Sequence, residues 1–241
     1  MRKRGVLIIG AVALVAAAGG WIFRGRIREA LADSGISSRR TAEDVVAQHG
    51  DRTRESLESL CRAHGVAWPP ARLRLLAFKE ERRVEVWVAN ADGPYARVRT
   101  YAILAASGGP GPKRREGDLQ VPEGIYRLTD LNPNSRFHLS VRVDYPNEED
   151  VRRSHVKRRE MGGDIFIHGG AASIGCIALG DAVIEELFSL VALVPRDGRS
   201  VLIAPVDLRT RADFTVAGEE AWVANLYGRL AQELRAFPVG P

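Results

Sequence analysis

Arg72-Leu73-Arg74-Leu75-Leu76-Ala77-Phe78, Lys79-Glu80-Glu81-Arg82 and Arg83-Val84-Glu85-Val86-Trp87-Val88-Ala89 succeed one another without a break. The first and third runs alternate in polarity and are rich in branched and aromatic residues, the pattern of a strand with period two. The four charged residues between them form the turn. A hairpin is predicted, and it sets the class of the chain: the body is β-rich.

Working outward, Arg97–Leu104 reads as a further strand. Ser107–Glu123 is a Gly/Pro-rich loop. Gly124–Leu128 and Phe137–Val143 read as strands separated by Asn132-Pro133-Asn134. A polar loop runs from Tyr145 to Gly163, then a short strand over Asp164–Ile167. Asp181–Val194 is an apolar helix, Val201–Pro205 a last strand, and Glu219–Phe237 an amphipathic helix bearing Trp222, Leu226, Leu230 and Leu234 on one face. Upstream of the hairpin, residues 27–66 carry helical spacing. Thr41-Ala42-Glu43-Asp44 is a helix start with Thr41 as cap and Asp44 in the capping-box position. This helical part reads as a spacer or as an appendage packed on the body, and Pro69-Pro70 marks its end.

With 241 residues, 45% hydrophobic and 27% charged, the chain has the size and composition of one ordinary folded domain with small additions. Its net charge is +5, and lysine occurs only at positions 3, 79, 113 and 157, so arginine carries most of the positive charge. No nucleic-acid motif accompanies that charge. A polyanionic surface or substrate is the milder inference. Arg2, Lys3 and Arg4 precede an apolar run from Val6 to Phe23, and Arg24, Arg26 and Arg28 come after it. About 18 apolar residues reach across a bilayer. The run is expected to be an uncleaved anchor, N-terminus inside and body outside; a cleaved signal peptide and a buried helix are the alternatives. The organisation expected is residues 1–29 as membrane segment, 30–69 as helical membrane-proximal region, 70–206 as catalytic domain and 207–241 as helical extension.

The chemistry concentrates in Ile167-His168-Gly169-Gly170-Ala171-Ala172-Ser173-Ile174-Gly175-Cys176-Ile177. A thiolate nucleophile needs a base for its proton and donors for the oxyanion it creates. His168, Cys176 and the amides of Gly175 and Cys176 offer these within one segment. The inert reading, a packed cysteine and a structural histidine, stands beside it. Metal binding is excluded by ligand count, since one His and one Cys are too few for zinc. The other cysteine, Cys61, lies in a helical pattern and reads as a half-buried apolar residue, although in an oxidising compartment it could pair with Cys176. Asp118 and Glu123 read as turn residues and not as a glycosidase pair. His138 reads as structural or surface, and His155, among Arg152, Arg153, Lys157, Arg158 and Arg159, as part of a solvated run.

The histidine-glycine pair with Ser173-x-Gly175-Cys176 resembles the active-site signature of the L,D-transpeptidase (YkuD-type) catalytic domain. Gly111-Pro112-Lys113, Glu116-Gly117-Asp118, Pro122-Glu123-Gly124-Ile125-Tyr126, Tyr145-Pro146-Asn147 and Asp181-x-x-Ile184-x-Glu186-Leu187 are similar to its YafK-like branch. The resemblance spans residues 70–206. It implies a mainly β (α+β) sandwich or barrel with flanking helices, no cofactor, and action on peptidoglycan stem peptides in the bacterial envelope, with the catalytic domain in the periplasm. Cys176 would be nucleophile, His168 its base, oriented by a backbone carbonyl, and Gly175 an oxyanion N–H. Ser173, Gly169, Tyr126, Tyr145 and Lys113 would meet substrate, together with Arg142; Tyr126 as core and Lys113 as a solvated charge are the competing readings. Ile174 replaces the histidine usual before the glycine, and Ala178 the arginine or asparagine usual two residues after the cysteine. The expected reaction is acyl transfer through a Cys176 thioester, cross-linking stems or attaching an envelope protein. Hydrolysis that trims stems or frees a wall-linked lipoprotein is the close alternative, and a silent wall-binding module the distant one.

Overall fold

The structure, a computed structural model, describes residues 39–239. The expected membrane run at 6–23 lies outside them. Among the described residues no helix is long and apolar enough to cross a membrane.

The hairpin forms as its alternation dictates: β1 (Arg72–Phe78) pairs antiparallel with β2 (Arg83–Ala89), Leu75 opposite Val86. Six more strands extend it: β3 (Ala96–Ala102), β4 (Gly124–Ser135), β5 (His138–Val143), β6 (Phe166–His168), β7 (Ile177–Ala178) and β8 (Arg199–Ala204). They make one mixed sheet in the order β3-β2-β1-β8-β4-β5-β6-β7. β1 pairs parallel with β8, and β6 parallel with β7; the other neighbours are antiparallel. β4 is the pivot. Its first residues, Gly124–Arg127, pair with β8, whereas Leu128–Ser135 pair with β5 with two register shifts. Such irregularities bend a strand and increase its twist.

The α+β class with flanking helices holds, and in place of the expected sandwich or barrel the strands form one mixed sheet with helices on both faces. α1 (Ala42–Ala63) and α3 (Asp181–Leu193) cover one face, where Val45, Leu57, Cys61, Ile184, Leu187 and Phe188 pack with Leu73, Leu75 and Ala77. α4 (Ala221–Leu234) covers the other, packing Val223, Leu226, Leu230 and Leu234 against Leu76, Phe78, Leu202 and Ala204. Odd and even positions of β1 thus enter different cores, as period two requires. Each such aliphatic or aromatic side chain withdrawn from water contributes about 1.5–3 kcal/mol. The helices are therefore integral to the body. Thr41 and Asp44 form the capping box expected of them, at 3.2 and 2.8 Å.

Three local readings also differ. β4 runs through Asn132-Pro133-Asn134 to Ser135, because the break in pairing between Asn132 and Ser135 accommodates the missing proline N–H. The 145–163 loop contains a short helix, α2 (Glu148–Arg153), capped by Asn147 and Asp150. β7 is too short to leave a periodic signal.

Candidate active site

β6 ends on His168 and β7 begins just after Cys176, and their pairing brings the two residues together. The register sets Ile167 opposite Ile177 and His168 opposite Ala178. Counting back one residue puts Cys176 opposite Phe166. Alternate residues of a strand share a face, so the His168 ring and the Cys176 thiol project to the same side of the pair. The loop between them is closed by hydrogen bonds. Leu179 N–H donates to the His168 carbonyl at 2.9 Å, and Gly169 N–H to the Leu139 carbonyl at 3.1 Å.

His168 Nδ1 lies 2.6 Å from the Gly169 carbonyl oxygen. A carbonyl only accepts, so Nδ1 carries the proton and Nε2 is left as the basic nitrogen. The orienting group is thus a backbone carbonyl. Phe137 stacks on the imidazole, centroids 4.5 Å apart at 30°. His168 is only 2% exposed. Burial holds its pKa below the ordinary histidine value, with the Gly169 bond pulling the other way.

Gly169 is required at its position. A Cβ there would stand 2.6 Å from both Asp181 Oδ1 and the Phe137 carbonyl. Asp181, the first residue of α3, accepts from Gly170 N–H at 2.7 Å and so ties the turn after the histidine to the helix.

Cys176 is partly buried, and its thiol donates to the Asp164 carbonyl at 3.6 Å. Burial pushes its pKa up; the Phe166 backbone and Lys113 pull it down, and Asp164 adds to the rise. The resting pair is therefore thiol and neutral imidazole. Both cysteines are free thiols, and Cys61 is buried in the core at 1% exposure, more deeply than expected, with its own pKa pushed up to about 11.

Ser173 shapes the turn before Cys176: its Oγ accepts from Cys176 N–H at 3.0 Å and donates to the Cys176 carbonyl at 2.7 Å. Gly175, at φ +89°, is in the left-handed region that glycine tolerates best. Its N–H is not open. It donates to Ser107 Oγ at 2.6 Å. The two amides expected to hold an oxyanion are thus both engaged by serine hydroxyls. Ser107 lies in a Gly/Pro-rich loop 68 positions away, where no sequence signal marks it.

The expected ligand contacts divide. Tyr126 and Tyr145 are corrected to interior residues, 2% and 3% exposed. The Tyr126 hydroxyl donates to Asp150 at 3.0 Å, and Tyr145 reaches the carbonyls of Lys113 and Met161. Lys113 is not a solvated charge: it is 8% exposed and ion-paired with Asp118 at 2.6 Å. It does line a cleft of about 200 Å³ with Leu119, Asp164, Ile165, Ile174 and Gly175, beside Cys176. Ile174 is 77% exposed there. Arg142 forms an exposed pair with Asp164 at 3.5 Å. His138 bonds Glu185 at 2.8 Å and His155 bonds Glu220 at 2.7 Å, both away from Cys176 in partners. Asp118 organises its turn by accepting from the amides of Arg114, Arg115 and Gln120. Glu123 is corrected from turn residue to buried hub: it accepts from Lys79 Nζ (2.9 Å), Gly111 N–H (2.9 Å) and the Tyr227 hydroxyl (2.8 Å). Among the described residues no cluster of His, Cys, Asp and Glu has the makings of a metal site.

YafK of Escherichia coli (strain K12) is 38% identical to this chain over 116 residues, 47% of the chain and 45% of that protein. The chain therefore spans about half the length of the curated relatives it matches. Among solved structures, the helical cell shape determining protein Pgp2 of Campylobacter jejuni aligns at 24% identity and TM-score 0.46, over 66% of this chain and 54% of that one. Bd1075 of Bdellovibrio bacteriovorus aligns at 22% identity and TM-score 0.42, over 70% and 56%. The family model of the L,D-transpeptidase catalytic domain (YkuD) matches residues 73–206, more than half of the chain. With that match spanning His168 and Cys176, the chain belongs to the L,D-transpeptidase catalytic domain family.

Proposed function

We propose that this protein is a cysteine acyltransferase acting on peptidoglycan stem peptides in the bacterial cell envelope. The observation that supports the proposal is the pairing of β6, which ends on a histidine of defined tautomer, with β7, which begins just after the thiol. A neutral imidazole with free Nε2 is the state a general base must have. As the Cys176 sulfur attacks a stem carbonyl, Nε2 takes the thiol proton. The carbon–nitrogen bond then breaks, the proton leaves with the amine, and a Cys176 thioester remains. A second amine attacks the thioester and regenerates the thiol, joining two stems or a stem and an envelope protein. The cleft beside Cys176 suits a peptide, since Ile174 and Leu119 offer apolar contact.

Mass spectrometry of peptidoglycan fragments, with and without attached lipoprotein, incubated with the protein and with Cys176→Ala, tests this. New linked products present only with the intact cysteine are expected. Release of shortened stems or free protein without any new linkage would make the enzyme a hydrolase. Identical product sets from the two proteins would overturn the catalytic assignment and leave wall binding.

A further inference from the structure

The nucleophile strand has a second neighbour. On its other edge the chain after β3 runs antiparallel to β7, where Ala105 bridges Ala178, the two exchanging bonds of 2.9 Å (Ala178 N–H to the Ala105 carbonyl) and 3.4 Å (Ala105 N–H to the Ala178 carbonyl). The bridge is a single one: two residues on, the Cys176 N–H and carbonyl turn to Ser173 Oγ, and the contact passes to the Ser107 side chain, which reaches Gly175, the residue before Cys176.

Ser107 is anchored there. Its Oγ accepts from Gly175 N–H at 2.6 Å, the amide adjoining the nucleophile. The neighbouring segment is packed closely enough to keep it in place: a Cβ on Gly108 would stand 2.2 Å from Gln120 Oε1, and one on Gly175 3.4 Å from the Gln120 carbonyl. A hydroxyl that accepts one bond still has its own proton to donate. The other serine at the site has none to spare, because Ser173 donates to the Cys176 carbonyl. Gly175 and Cys176 N–H are both committed to hydroxyls, so the usual pair of backbone donors is not free. The Ser107 O–H, held at the residue before the nucleophile, is polarised by the amide behind it.

We propose that Ser107 is a catalytic residue whose hydroxyl donates to the oxyanion formed when Cys176 attacks a carbonyl. The inference rests on the acyl-transfer reading of Cys176. In the step concerned, a sulfur–carbon bond forms and the carbonyl π pair moves onto oxygen, while His168 Nε2 takes the thiol proton. Ser107 donates a hydrogen bond to that oxygen and keeps its proton. When the carbonyl re-forms, the carbon–nitrogen or carbon–oxygen bond to the leaving group breaks and His168 returns the proton to it.

Two reactions of the same thiol separate this role from simple support of the loop. Acylation by p-nitrophenyl acetate passes through an oxyanion; alkylation by iodoacetamide is a displacement at carbon and does not. Both are monitored on the full chain by intact-protein mass spectrometry. Ser107→Ala is expected to slow acylation by about 100-fold, the usual effect of losing one oxyanion donor, and to leave alkylation within about twofold. Ser107→Thr, which keeps the hydroxyl, is expected to retain most of the acylation rate. Acylation of Ser107→Ala at the wild-type rate or faster would show that the hydroxyl merely occupies the Gly175 amide, and would overturn the proposal. Equal slowing of both reactions would overturn it too, since Ser107 would then only place the sulfur. Cys176→Ala separates this result from the parent reading: if stem-peptide products persist in that variant, the acyltransferase assignment fails, whatever Ser107 does.

Discussion

Gly169→Ala puts the packing around His168 under direct load. The added methyl meets two oxygens at 2.6 Å, Asp181 Oδ1 and the Phe137 carbonyl, and Ile184 Cγ2 at 3.1 Å. Side-chain rotation can relieve the aspartate contact, but only by giving up its 2.7 Å bond from Gly170 N–H. The Phe137 carbonyl belongs to the backbone beside β5 and already accepts from Leu139 N–H at 3.0 Å, so the Gly169 backbone must yield. Overpacking of this kind costs about 1–3 kcal/mol, and the loss of a charge-assisted hydrogen bond adds about 1–2 kcal/mol. A total near 3 kcal/mol corresponds to a fall in Tm of about 6–12 °C for a domain of this size. The backbone that yields also carries the carbonyl that orients His168, so acyl transfer is expected to fall about 100-fold, the scale of a displacement near 1 Å. Thermal melts and product formation are measured beside Gly163→Ala, where the nearest atom is 4.0 Å away and no change beyond about 0.5 kcal/mol is expected. A Gly169→Ala protein that melts with wild type and turns over at the wild-type rate would refute the claim that contact with Asp181 and Phe137 sets the histidine.

Other parts of the molecule give three further outcomes. Gly228 sits mid-way along α4, exposed, with open space where a methyl would stand, so Gly228→Ala should raise stability by about 1 kcal/mol in urea unfolding. Lys79 and Glu123 form an ion pair with 7% and 0% side-chain exposure; Lys79→Met, which strands the carboxylate, should cost about 3–5 kcal/mol by urea unfolding, and adding Glu123→Leu should restore part of that. Because burial raises the thiol and lowers the imidazole, iodoacetamide alkylation of Cys176 should keep rising with pH past the ordinary thiol range, while acyl transfer should survive acidification past the ordinary histidine value and fail only below it; an alkylation plateau near pH 7 would instead reveal a preformed thiolate–imidazolium pair.

The range of each physical signal decides how much of the molecule is legible in its sequence. The hairpin 72–89 and the cap at Thr41 are local: alternation, a charged turn and a reciprocal side-chain cap specify them within a few residues. His168 and Cys176 are legible because they sit in one short segment whose glycines are unlike core sequence. The two-sided burial of β1 is harder. Leu75-Leu76-Ala77-Phe78 is a continuous apolar run at the point where the sheet is covered on both faces, and such a run can be read either as a sandwich core or as a strand between helices. Tyr126 and Tyr145 mislead for a related reason. A tyrosine next to a motif has no sequence signal that distinguishes a groove wall from a buried hydroxyl, and only Asp150 and the Lys113 carbonyl, contributed from elsewhere in the chain, decide it. Ser107 is beyond reach altogether, since its importance comes from a pairing between residues 68 positions apart.

Through contacts of the same long range, α4, outside the residues that match the family, is linked to the turn before Cys176. Tyr227 of α4 donates to Glu123, which also accepts from Lys79 Nζ and Gly111 N–H. Lys79 in turn donates to the carbonyls of Gly111 and Val121 at 3.1 and 3.0 Å. These bonds cross the 107–123 loop near both ends, so a single buried ion pair closes the loop into a clasp. The clasp presents Ser107 and Gln120 to Gly175. A carboxylate wholly withdrawn from water is costly unless every partner is present. The loop therefore has one well-satisfied arrangement, in which the Ser107 hydroxyl meets the Gly175 amide. The helix beyond the matched residues is in this way part of what holds the turn before Cys176 in place.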